Sequence, residues 1–160
     1  MNFLREYNEE CHILSRMQAT IFEQSCKDNI PSFYFVKNFM YMEETKSLDM
    51  LSYDIGGLSR EDLYQLAKNK TKMRGGQVFT EEQMHWIGYF YRTYSYLLNI
   101  RSSHLFSMIP ISYLRNVYNP YHSLDIRKAI EKVNGDLNIN FDEAKEEKIM
   151  ALIRKIYSST

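Results

Sequence analysis

The residues best able to do chemistry in this chain are four histidines, two cysteines and a scatter of glutamates. Two spacings stand out, Glu9-x-x-His12 and Glu82-x-x-His85. On a helix this spacing puts a carboxylate and an imidazole on one face, as in helical di-iron proteins. A complete site of that type also needs one glutamate from each of two further helices. Glu23, Glu43, Glu44 and Glu131 are available, but none falls on an obviously inward face. Glu9 and His12 lie off the apolar stripe of their own helix. Glu82 sits in a first turn, where acids offset the helix dipole. No resident metal or cofactor is expected; a metal-binding helical enzyme remains an alternative.

Nucleophilic chemistry finds less support. There is no Gly-x-Ser-x-Gly turn. Gly75-Gly76 lacks the spacing of a phosphate-binding loop and reads as a connector. Cys11 lies on an apolar stripe, as a small buried hydrophobe would. Cys11 and Cys26 are 15 residues apart on one helix, too far to bridge each other. His85, His104 and His122 stand alone. The expectation is a protein that is not an enzyme.

Two segments invite a nucleic-acid reading. Ser103–Tyr118 has the outline of a helix-turn-helix, but its turn has no glycine and its second helix carries one basic residue, Arg115. Lys68–Arg74 is a basic run at a helix end, where cations favour the negative pole. Twenty basic residues balance twenty acidic ones, so no overall basic field exists to displace counterions. A transcriptional regulator is therefore the lesser alternative.

The polar groups in an aromatic setting are a different matter. Arg92 lies among Tyr89, Tyr91, Tyr94 and Tyr96. One reading buries the stem of Arg92 and sends its head to water or a carboxylate. The other makes an arginine–tyrosine contact patch, the residue types that dominate binding hot spots. On the second reading Tyr89, Arg92, Tyr96, Tyr118, Tyr121 and His122 are the candidate partner-binding residues.

These residues must be positioned by helices. Leu4, Tyr7, Cys11, Leu14, Met17 and Ile21 predict an amphipathic helix over about 3–28. Pro31 suits the first turn of a second, with Phe33, Val36, Phe39 and Met40 as its stripe. A short helix is expected at Ser47–Tyr53, ended by Gly56-Gly57. Ser59 and Asp62 form a capping-box-like start for a helix with Leu63, Leu66 and Ala67 inward. Thr80 and Gln83 form another, opening the helix Glu81–Asn99. Past Gln83 that helix has one full charge, Arg92, and rings nearly all round, so it is expected at the centre. Gly88 costs about 1 kcal/mol there relative to alanine, which implies close approach of another helix.

Downstream, Ser102 is expected to cap a short helix to Ile109, Ile111–Tyr118 another, and Asn119–His122 a tight turn. Ser123 would cap Leu124–Asn134, with Ile126, Ala129, Ile130 and Val133 inward and Gly135 as the C-cap. A last helix is expected at about 141–157, with Ile149, Leu152, Ile153 and Ile156 as its stripe. The whole predicts an all-α, single-domain bundle of six to eight helices over residues 1–160. Residues 136–160 form an appended element. The apolar fraction of 44% is that of a globular domain. The polar N-terminus and the absence of a long apolar run point to a cytoplasmic protein without membrane segments.

A resemblance adds to this. Met84-His-Trp-Ile-Gly-Tyr-Phe-Tyr-Arg92, then Ser102-Ser103, Ile109-Pro, Leu114-Arg115, Tyr118, Pro120-Tyr121-His122-Ser-Leu-Asp125 and Ala129-Ile130-Glu131, occur in an order that resembles a family of small bacterial proteins. The resemblance covers about residues 80–133. Members are mostly uncharacterised, and some are encoded beside ADP-ribosyltransferase-like toxins. This chain departs in Tyr94-Ser-Tyr96 and in the helix after Gly135. The resemblance implies an antitoxin or immunity-like protein whose partner is a protein, such as a cognate toxin.

Overall fold

A computed structural model describes residues 3, 5–50, 57–72, 75–140 and 151–158. All regular structure among them is helical, as the patterning predicts. The elements are α1 (Glu9–Lys27), α2 (Ser32–Tyr41), α3 (Thr45–Asp49), α4 (Arg60–Lys70), α5 (Glu81–Leu98), α6 (Ser102–Met108), α7 (Ile111–Tyr121) and α8 (Ile126–Asp136). A further helical stretch occupies 151–158. Among the described residues no helix is long and apolar enough to cross a membrane.

The centre is α5. It opens on the full capping box: Gln83 N–H donates to the Thr80 hydroxyl, and Thr80 N–H to the Gln83 side chain, both at 3.1 Å. From Trp86 to Leu98 every residue but Tyr89 is buried. α1 lies along α5, and α3, α6, α7 and α8 also meet it. At Gly88 the backbone of α1 comes close. A Cβ there would sit 2.9 Å from both the Ala19 Cα and the Gln18 carbonyl oxygen. Gln18 seals the crossing, its amide donating to the Gly88 carbonyl at 3.0 Å.

Several boundaries differ from the sequence pattern for local reasons. α1 begins at Glu9, not near Phe3, because the Asn8 side chain accepts from Cys11 N–H at 3.0 Å and caps the helix there. The preceding strap follows α5, with Arg5 N–H donating to the Leu97 carbonyl. Pro31 is the N-cap residue of α2 instead of its first turn. The buried stripe of α2 is Ser32, Phe35, Val36, Phe39 and Met40, so Phe33 faces out and Phe35 faces in. The short third helix starts at Thr45; the rest of the segment expected to Tyr53, and Gly56, lie outside the described residues.

The second half departs further. Ser102 does not cap α6, because its hydroxyl is spent on Asp49 and Arg92. Asn119–His122 is no tight turn: α7 continues through Pro120 to Tyr121. Proline cannot donate to the Asn116 carbonyl, and Asn116 is an exposed residue of the helix. Asp125, not Ser123, caps α8, accepting from Arg127 N–H at 3.0 Å. Gly135 stays inside the last turn, and Asn138 takes the left-handed position after it, at φ 53°. In the 151–158 helix Leu152, Ile153 and Ile156 are exposed; Ile149 lies outside the described residues.

Candidate functional site, an aromatic cleft beside α5

Arg92 is 1% exposed, among the largest fully buried side chains. Its Nε donates to Gln18 Oε1 at 2.8 Å, Nη1 to Asp49 Oδ1 at 2.7 Å and Nη2 to Ser102 Oγ at 2.8 Å. Asp49 also accepts from Ser102 N–H at 3.0 Å. Arg92 thus ties α1, α3, α5 and α6 together and presents nothing to a surface. Tyr96 is also inside, its hydroxyl accepting from the Asn8 amide at 2.7 Å. Neither belongs to a contact patch in this structure.

Tyr89 and His122 do come together. They line a cleft of about 250 Å³ with Tyr7, Trp86, Leu124, Asp125, Ile126 and Arg127. One wall comes from α5, where Trp86 and Tyr89 are three residues apart and share a face. Tyr7 comes from the N-terminal strap. The opposite wall is the corner between α7 and α8. Tyr118 lies behind the cleft, edge-on to Trp86 at 6.0 Å and stacked on His122 at 4.3 Å. Tyr121 turns away. It and Tyr113 each donate to Asp136 at 2.6 Å.

The lining is held in place. His122 Nδ1 lies 2.7 Å from the Tyr118 carbonyl, which can only accept. Nδ1 therefore carries a proton and donates it to that carbonyl. Leu124 N–H donates to the Tyr121 carbonyl at 3.1 Å, fixing the corner. The hydroxyls of Tyr7 and Tyr89 bond each other, and both approach His12 Nδ1, at 2.8 and 2.9 Å. Burial, more than any neighbour, pushes both phenols above their ordinary pKa. They stay protonated at neutral pH and supply hydroxyls, not phenolates.

The other candidates are dispersed. His85 faces Glu23 at 3.5 Å, while His12 is engaged with Tyr7 and Tyr89, so the two Glu-x-x-His pairs do not build one site. No group of three or more His, Cys, Asp or Glu side chains able to hold a metal occurs among the described residues. Burial pushes the Cys26 thiol up to about 11, and Cys11 is raised for the same main reason. Neither is activated as a nucleophile.

On α7, the Arg115 guanidinium lies over the Phe79 ring at 4.7 Å, and the exposed positions Ser112, Asn116, Asn119 and Pro120 are uncharged. In the basic run, Lys68 faces Asp28 at 3.8 Å and Lys70 faces Glu44 at 3.9 Å.

Tyr7, Trp86, Leu124, Asp125, Ile126 and Arg127 were not among the residues expected in a contact site. Asp125 carries a local signal, a carboxylate two residues before the amide it caps. Tyr7 carries none, because only the tertiary path of the strap brings it beside Tyr89. Compared with known proteins, the chain matches no family model, no curated protein and no solved structure.

Proposed function

We propose that this chain is a non-catalytic protein-binding module of the cytoplasm, an antitoxin or immunity-like protein that neutralises a partner protein, and that the aromatic cleft is its contact site. The observation that carries the reading is the cleft itself. It gathers Tyr7, Tyr89 and His122 around the edge of the buried Trp86, and rings of this kind dominate binding hot spots. Fixed rings lose little freedom on association, so more of their contact energy appears as affinity. Burial keeps the Tyr7 and Tyr89 phenols of the cleft protonated at neutral pH, and neither cysteine is activated as a nucleophile. With equal numbers of acidic and basic residues, the chain fits a protein partner better than a nucleic acid.

The test is co-expression with the product of the adjacent gene in the native host. The expected result is a stable complex and rescue of growth. His122→Ala and Arg127→Ala, both exposed positions on the cleft, should each weaken the complex about 10-fold. Lys37→Ala, exposed on α2, which contributes no residue to the lining, should not. Absence of both complex and rescue, or a complex indifferent to the cleft variants, would sink the proposal.

A further inference from the structure

We infer that the guest of the cleft is one uncharged aromatic side chain of the partner, a tyrosine or tryptophan ring inserted between Trp86 and the α7–α8 corner. This rests on the reading of the chain as a protein-binding module and names what that module grips.

Size comes first. A cavity of about 150 Å³ lined by apolar groups is enough to hold benzene. The cleft here measures about 250 Å³, the scale of one ring with its substituents and far below that of a peptide. The lining comes second. Rings from four residues and the aliphatic side chains of Leu124 and Ile126 face the guest, and aromatic pairs in edge-on or offset geometry gain more than burial alone supplies.

Charge decides between guests. Asp125 and Arg127 both line the cleft, and they answer each other: Arg127 Nε donates to Asp125 Oδ1 at 3.4 Å, and its backbone N–H to the same oxygen at 3.0 Å. A cationic guest drawn by Asp125 meets Arg127, and an anionic guest drawn by Arg127 meets Asp125. Either would have to break this pairing or sit beside its like charge. A neutral ring does neither. The Tyr7 and Tyr89 hydroxyls are already bonded to each other and to His12, so the lining demands no charge from its guest.

The chain has one tryptophan, and it lies in the cleft wall, so its indole N–H is a single reporter on the site. The experiment titrates the full chain, isotopically labelled, with p-cresol, tetramethylammonium and acetate, and follows the Trp86 indole resonance by NMR. The expected result is a saturable shift with p-cresol, at a dissociation constant on the order of 1 mM for a fragment of this size, and none with the two ions. Leu124→Tyr, which fills the cleft with the chain's own ring, should abolish that shift. Excess p-cresol should release the partner from the wild-type complex, a readout that depends on no variant.

No p-cresol shift, or an equal shift with either ion, overturns the inference. A partner that binds but is not displaced overturns it while leaving the protein-binding reading standing. Binding of p-cresol by a chain that forms no complex with the adjacent gene product supports the ring site and overturns the partner reading.

Discussion

Arg92 Nη1 and Asp49 Oδ1 form an ion pair of 2.7 Å in which the arginine side chain is 2% exposed and the aspartate 12%. Removing one partner of such a pair leaves a charge without compensation, at a cost of about 3–5 kcal/mol. Asp49→Ala should therefore be strongly destabilising in urea unfolding, all the more because Ser102 N–H loses its acceptor too. The same change made in an Arg92→Leu background should cost at least about 2 kcal/mol less, since no buried guanidinium is then stranded. Equal costs in the two backgrounds would show that the pair is not what Asp49 contributes.

Gly88 sets propensity against packing. By helix propensity alone, Gly88→Ala should stabilise α5 by about 1 kcal/mol. The new Cβ would lie 2.9 Å from the Ala19 Cα and the Gln18 carbonyl oxygen, both backbone atoms that cannot rotate away. The α1–α5 crossing must then open, and overpacking of this kind costs about 1–3 kcal/mol. The expected net result is a lowered melting temperature. A raised one would mean that the two helices are not held this closely.

What was legible in the sequence is what is local. The boxes at Ser59–Asp62 and Thr80–Gln83 are complete because cap and partner are three residues apart. The all-round apolarity of Met84–Leu98 and the glycine within it marked both the central helix and its close neighbour. The errors also have local causes. The stripe Leu4, Tyr7, Cys11 runs straight through Asn8, so periodicity alone hid the cap that starts α1 later. Three chain reversals are marked by asparagine in the left-handed region, Asn29, Asn99 and Asn138, where glycine is the commoner signal. Long-range partners left no trace. Asp49 is 43 residues from Arg92, in a stretch with weak patterning, and its selection as the counter-charge is a product of the fold. The cleft is equally tertiary. Its walls come from the strap, α5 and the α7–α8 corner, and only Tyr89 and His122 had been singled out.

Asp136 gives a pH signature. The hydroxyls of Tyr113 and then Tyr121 hold its carboxyl below the ordinary aspartate pKa. A folded-state pKa below the unfolded one contributes stability above the unfolded value, near 3.8. That contribution is lost as pH falls through the lower folded value. Wild type should therefore be more stable than Asp136→Asn near neutral pH, and the gap should narrow below about pH 4 and close at still lower pH. Chemical unfolding at a series of pH values measures it. A gap that stays constant through the acid range would exclude the tyrosine–carboxylate clamp as its source.

The cysteines offer the most direct check on packing around α1. Burial raises the Cys26 thiol from 9.0 to about 11, with the nearby Glu81 and Glu23 charges adding to the shift against the hydroxyl of Ser25. The thiolate is the reactive form, so at pH 8 its population should be about 100-fold below that of an unperturbed thiol. Cys11 is fully buried, and its pKa is raised as well. Native protein treated with iodoacetamide at pH 8 should accordingly modify Cys26 slowly and Cys11 more slowly still, while both react fast in denaturant. Rapid alkylation of Cys11 in the native state would mean that α1 leaves α5 on the timescale of the reaction, and the wall that holds His12 against Tyr89 would open with it.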